Sequence, residues 1–132
     1  MRSSSANKIQ TLVQAPDSPW NELTSTDDVV AILQRSEERI QLIYKHSETC
    51  GVCLISKEEL EKVVDEIAPT ADLHVVNVIV QRPVSLAIAH ELDVRHESPQ
   101  VILLKGGKVL WSGSHWDVTA GNVRAALGRS FP

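Results

Sequence analysis

Most of the features that would assign this chain to a specialised class are absent. No run of apolar residues approaches the length of a membrane span. There is no long basic run, and the formal net charge is −4, which argues against a nucleic acid or an anionic membrane as partner. The first residues, Met1 to Lys8, lack the apolar core of a secretory signal, so a cytoplasmic location is expected. No Gly-x-Ser-x-Gly and no Cys–His–Asn pattern supports a hydrolase, and neither an internal repeat nor a second domain is apparent. Cysteine is scarce, with two in 132 residues, and both fall within one short stretch.

The remaining composition is ordinary. Apolar residues make up 42% and charged residues 23%, and 132 residues are enough for one domain with a real core. Residues 1–8 are small and polar and read as a disordered tail ahead of a single domain over 9–132. The cysteines lie in Lys45-His46-Ser47-Glu48-Thr49-Cys50-Gly51-Val52-Cys53. In a reducing cytosol, so close a pair points to catalysis or metal binding rather than to a structural staple. Closing so small a loop with a disulfide would also give little chain-entropy gain.

Around this stretch the chain alternates. Ile9, Leu12 and Val13 are a candidate short strand or docking segment, ended by Pro16 to Pro19. Trp20 and Leu23 read as core-edge anchors. Ser25 with Asp28 three residues on opens a helix to about Ser36, whose stripe is Val29, Val30, Ile32 and Leu33. Arg39 to Lys45 is a β-branched and aromatic strand. Leu60, Val63, Val64 and Ile67 mark one face of a helix expected over 51–67 and stopped by Pro69. Leu73 to Val80 is a nearly unbroken apolar run that suits a strand buried on both faces of a parallel sheet, with His74 and Asn77 engaged in local hydrogen bonds. A helix over roughly 84–92 follows Pro83. Val101–Lys105 and Lys108–Ser112 flank Gly106-Gly107 as a hairpin. Gly113 to Asp117 is a loop, and Thr119 caps a last helix ending at Gly128.

A Cys-x-x-Cys at a strand-to-helix junction is a redox-motif signature. At the first turn of a helix, Cys50 gains from unpaired N–H groups and about half a positive charge, whereas Cys53, one turn in, is more buried and less ionised. Cys50 is therefore the expected nucleophile and Cys53 the resolving thiol. Gly51 is expected to allow a tight turn and an open approach, with Val52 beside it. His46 and Lys45 are candidate charges that lower the thiolate pKa. Ser47 and Thr49 read as turn-forming hydroxyls.

This order, with Cys50-Gly51-Val52-Cys53 at the first junction and Ser98-Pro99 before the hairpin, resembles the thioredoxin fold over about residues 20–128. The resemblance implies an α/β architecture: a mixed four- to five-stranded sheet with helices on both faces. It also implies a cis proline at Pro99, facing the cysteines, so that Ser98 and Pro99 join Gly51 and Val52 along an extended disulfide substrate. Thr49 stands where thioredoxin has tryptophan, Val52 where it has proline, and Tyr44 near the place of its buried aspartate.

Tyr44-Lys45-His46-Ser47-Glu48-Thr49-Cys50, Ser98-Pro99-Gln100 and His115-Trp116 are similar to the bacilliredoxin-like family of bacillithiol-using bacteria. In that family a serine commonly stands where this chain has Cys53. The resemblance implies an oxidoreductase that binds no cofactor and reduces mixed disulfides between proteins and a low-molecular-weight thiol. Bacillithiol or another such thiol would be the co-substrate, and a thiol or reductase would recycle the protein.

Two rival readings remain. His46, Cys50 and Cys53, with His96 or His90 as a fourth ligand, would make a metal site, although no second Cys-x-x-Cys is present. A non-catalytic, stress-related binding module would leave the cysteines as an incidental pair.

Overall fold

The computed structural model describes residues 18–130. The residues expected to form a disordered tail (1–8), a short strand or docking segment (Ile9, Leu12 and Val13) and the start of a chain break (Pro16 and Asp17) lie outside this range. The elements are β1 (Trp20–Glu22), α1 (Thr26–Arg35), β2 (Ile40–His46), α2 (Gly51–Glu61), α3 (Val64–Ile67), β3 (Ala71–Asn77), α4 (Arg82–Leu92), β4 (Gln100–Lys105), β5 (Lys108–Ser114) and α5 (Ala120–Ser130). A 3₁₀ turn, His115–Asp117, precedes α5. The sheet order is β1-β3-β2-β4-β5. β3 runs parallel to both β1 and β2, whereas β4 is antiparallel to β2 and to β5. Among the described residues no helix is long and apolar enough to cross a membrane.

Helices cover both faces. Leu42, Tyr44, Leu73, Val75, Val101 and Leu103 form one core with Leu60 of α2, Ile67 of α3 and Val123 of α5. Ile43, Val76, Ile102 and Leu104 form the other with Val29 and Ile32 of α1 and Ile88 of α4. Every residue of β2 is buried, as expected of the middle strand of a two-faced sheet.

The local signals explain most boundaries. Ser25 Oγ accepts from the Asp27 N–H at 3.1 Å, and Asp28 Oδ2 accepts from the Ser25 N–H at 3.1 Å, closing the N-terminus of α1. Gly106 and Gly107 have φ of 61° and 74°, the left-handed pair that a two-residue hairpin requires. Their amides donate to the carbonyl and hydroxyl oxygens of Ser36, fastening the hairpin to the end of α1. Thr119 Oγ1 accepts from the Asn122 N–H, which caps α5.

Five expectations need correction. Trp20 is not merely an anchor: it begins an edge strand, β1, and its ring lies 6.2 Å from that of Tyr44. The helix expected over 51–67 is two helices. At the break, Lys62 and Val63 donate to carbonyls three residues back, a tightening with no glycine or proline behind it, while Leu60, Val63, Val64 and Ile67 all stay in the core. β3 stops at Asn77 rather than Val80 because Asn77 Oδ1 accepts from the N–H groups of Ile79 and Val80, a side-chain-closed turn that leaves both residues exposed. Gly113 belongs to β5 and not to a loop; a Cβ there would lie 2.5 Å from the Trp111 ring, which packs over it. Gly128 does not end α5, which continues to Ser130.

His74 is buried in β3, and its role is structural as expected, but its partner is not local: Gln41 lies on β2, 33 residues earlier. Gln41 Nε2 donates to Asp72 Oδ2 at 2.7 Å, so Gln41 Oε1, 2.7 Å from His74 Nε2, must accept from that ring nitrogen. Arg35 and Arg39 both pair with Asp72. Burial lowers the imidazole pKa to about 4. Because the folded value lies below the unfolded one, near 6.5, the neutral ring contributes stability above pH ~6.5 that is lost as pH falls towards 4. Between those limits wild type should lose on the order of 3 kcal/mol more than His74→Gln, at ~1.4 kcal/mol per pKa unit. Urea unfolding of both proteins across pH 4–7 measures this. Parallel pH profiles would show that His74 is not the group responsible.

Candidate active site

β2 delivers the chain to the carboxyl end of the sheet, and α2 begins there. Between them, the Ser47 hydroxyl accepts from the Thr49 N–H at 3.4 Å and lies 3.1 Å from the Thr49 hydroxyl. These are the turn-forming hydroxyls the sequence suggests. Cys50 is the N-cap residue of α2, extended at φ −105° and ψ 120°, and partly exposed. Cys53 lies one turn in and is fully buried. Both are free thiols. Gly51 is exposed, and a Cβ there would meet nothing within 4 Å. The approach beside Cys50 is therefore open, but the tight turn expected of Gly51 is absent, since its φ is not positive. Val52 is half-buried.

The two sulfurs are held differently. Burial pushes the Cys50 thiol up, but the Cys53 N–H, the Cys53 thiol and the Val52 N–H near its sulfur outweigh it and leave the pKa below the ordinary value. Burial pushes the Cys53 thiol up and prevails. Besides Cys50, the Cys53 sulfur meets the Ser47 N–H at 3.4 Å and the Ser98 hydroxyl at 3.6 Å.

The Ser98–Pro99 peptide bond is cis. The Pro99 carbonyl accepts from the His115 N–H at 2.8 Å, fixing the 3₁₀ turn to this loop. That turn packs on α2 and carries Trp116, whose side chain stands exposed. The cis loop thus reaches the cysteine pair through the Ser98 hydroxyl, 3.6 Å from the Cys53 sulfur.

His46 and Tyr44 share a face of β2, as residues two apart must. Tyr44 Oη lies 2.6 Å from His46 Nδ1 and donates to the Cys53 carbonyl at 3.1 Å. Burial, then the nearby cysteine and Glu48 charges, raise the phenol's pKa, so it remains a neutral donor. His46 is buried, with Nε2 3.6 Å from Glu48 Oε1. The link from Tyr44 to the first turn of α2 was not anticipated. The two-residue spacing of Tyr44 and His46 was the available signal.

Lys45 does not join the cysteines, contrary to the role expected for it. One residue out of phase, it sends Nζ to the α4 face, where it donates to the Ser85 carbonyl at 3.0 Å and to His96 Nδ1 at 3.1 Å. Burial there lowers its pKa to about 8. Burial and the adjacent Lys45 charge lower that of His96. The metal reading loses its geometry in the same way. His46 is engaged with Tyr44, His96 lies with Lys45 on the other face, and His90 is exposed on α4. Among the described residues no three of His, Cys, Asp and Glu are grouped to hold a metal ion.

A parallel strand–helix–strand followed by an antiparallel hairpin, with a cis proline beside a helix-capping cysteine, defines the thioredoxin fold. Residues 21–123 match the family model described as Monothiol bacilliredoxin BrxC, and the chain belongs to that family. It is similar to a solved structure described as having a thioredoxin fold, at 27% identity and a TM-score of 0.72, covering 82% of this chain and 93% of the other. Fasciola hepatica thioredoxin is similar at 19% identity and a TM-score of 0.66, covering 83% and 97%. Thioredoxin O2 from Arabidopsis thaliana in the oxidized state is similar at 17% and 0.69, covering 87% and 96%. Family and fold together make the chain a thiol–disulfide oxidoreductase in general terms.

The unequal sulfurs give a direct expectation. Alkylation of the native protein followed by peptide mapping should label Cys50, with a pH midpoint below the ~8.5 of a free thiol. Cys53 should stay unlabelled until the protein unfolds. Equal labelling of both cysteines in the folded protein would contradict the asymmetry.

Proposed function

We propose that this protein reduces mixed disulfides between cytoplasmic proteins and a low-molecular-weight thiol, bacillithiol by family resemblance, with Cys50 as nucleophile and Cys53 as resolving thiol. The observation that carries this reading is the unequal placement of the two thiols: Cys50 is partly exposed at the N-cap of α2, and Cys53 is fully buried one turn in. The Cys50 thiolate attacks one sulfur of the mixed disulfide, a new S–S bond forms to Cys50, and the other thiol leaves. Cys53 then attacks Cys50 Sγ. The Cys50–Cys53 disulfide forms, and the captured thiol departs with the electron pair. A second thiol or a reductase returns the pair to the dithiol state. Gly51, Val52 and the Ser98-Pro99 peptide border the path an extended substrate would follow, with no side chain at Gly51 to obstruct it.

A monothiol cycle is the competing reading, favoured by the family's description. In it a second low-molecular-weight thiol, rather than Cys53, releases Cys50. The test offers reduced protein bacillithiolated, glutathionylated and plain protein disulfides, and follows product by mass. Bacillithiolated protein should be reduced fastest. Cys50→Ser should abolish exchange, and Cys53→Ser should accumulate a Cys50 adduct and slow turnover by at least about ten-fold. Undiminished turnover by Cys53→Ser would establish the monothiol cycle. An adduct trapped on Cys53 in Cys50→Ser would reverse the roles.

A further inference from the structure

The sulfur of Cys53 is fully buried, so its proton has no direct route to water. Resolution nevertheless requires that proton to leave, because the thiolate is the attacking species. Cys50 Sγ, which the thiol meets in the reduced protein, is bound in the mixed disulfide at this step, and the Ser47 N–H, at 3.4 Å, is a donor only, so neither can accept it. Tyr44 directs its hydroxyl to the Cys53 carbonyl and to His46. The Ser98 hydroxyl, at 3.6 Å, can both donate and accept, and it belongs to a residue that is only half-buried. Its loop is held in place by the His115–Pro99 hydrogen bond and by β4, which begins at Gln100.

We infer that Ser98 is a catalytic residue of the resolving step: its hydroxyl takes the Cys53 proton towards solvent and then donates to the thiolate that remains. This rests on the dithiol reading above and adds the residue that makes Cys53 competent. The Cys53 S–H proton passes to Ser98 Oγ while the hydroxyl's own proton passes to water, so the hydroxyl is regenerated. The proton it has taken lies on the line to the sulfur, so the hydroxyl donates to the thiolate, which also accepts from the Ser47 N–H. The Cys53 thiolate attacks Cys50 Sγ, the Cys53–Cys50 bond forms, and the bond from Cys50 to the substrate sulfur breaks. The departing thiolate keeps that bond's electron pair and is protonated by water. The mixed disulfide gains two electrons, the cysteine pair loses two, and protons balance through solvent. The role assigned to Ser98 thereby shifts from lining the substrate to serving the second sulfur. The cis peptide beside it can still border the substrate.

Single-turnover mixing of reduced protein with a bacillithiolated protein, quenched and resolved by mass, separates adduct formation at Cys50 from its resolution. Ser98→Ala keeps the backbone and removes the hydroxyl. It should slow resolution by about ten- to a hundred-fold, the size expected for losing a hydrogen bond to a charged group. The pH midpoint of resolution should move up by about one unit, and adduct formation should change several-fold less. Ser98→Thr, which restores a hydroxyl, should recover most of the rate. Far-UV circular dichroism and thermal unfolding check that each variant is folded. Cys53→Ser run in parallel separates the two claims. If it fails to stall, the dithiol reading falls whatever Ser98 does. If it stalls while Ser98→Ala resolves at the wild-type rate and pH midpoint, only the role of Ser98 is overturned.

Discussion

The complete burial of β2 is the constraint on which the site depends. A strand covered on both faces must commit each side chain to one of two environments, and a one-residue step reverses the choice. Tyr44 and His46 face α2 and engage each other and the Cys53 carbonyl. Lys45, between them, faces α4 and is satisfied by Ser85 and His96. A polar residue at the end of such a strand is tolerated only with a partner. The hydrogen bonds that make these three residues acceptable in the core therefore also fix α2 and the 93–98 segment relative to the sheet. The geometry around the cysteines follows from solving that burial problem.

Given that placement, the difference between the sulfurs needs no special residue near Cys50. The N-cap position supplies unpaired N–H groups to Cys50, and one further turn carries Cys53 beneath the helix. Backbone position thus does what nearby cations were expected to do. Lys45 can be withdrawn to the other face without cost to the nucleophile. Its loss of positive charge with rising pH, near 8, takes place away from the sulfurs.

The legible parts of the fold were those encoded by local chemistry. Ser25 with Asp28, Gly106-Gly107 and Thr119 each act within a few residues, and each is found as read; Leu60, Val63, Val64 and Ile67 reach the core as read, but from two helices. The cis bond at Pro99 followed from family resemblance, not from spacing. The illegible parts depend on neighbours distant in sequence. β1 is short, and pairing with β3 makes it a strand. The break at Lys62 and Val63 keeps the apolar residues of two helices in one core without any breaker residue. At the site, the cysteines and their helix position were readable because they lie within one turn of each other. The contact between Ser98 and Cys53 spans 45 residues and could not be read from the motif. Period-two alternation did contain the opposite facing of Lys45 and His46, but treating both as one charged cluster concealed it.

The pocket around Cys53 also bears on how one member of a family described as monothiol can hold a second thiol at this place. Family resemblance puts a serine there, and both groups that meet the side chain, a backbone N–H and a hydroxyl, would bond a serine oxygen as well as a sulfur. The lengths distinguish them. Contacts of 3.4 and 3.6 Å suit a sulfur acceptor, whereas a hydroxyl oxygen would require about 2.8–3.0 Å to each. A serine could approach one partner closely only by drawing away from the other or by pulling the cis-proline loop inward. The loop is tied to the 3₁₀ turn through Pro99 and to the sheet through β4, so it resists that movement. The spacing here fits sulfur on both sides at once. In this chain, Cys53 therefore sits in a site of its own size rather than in a borrowed serine pocket.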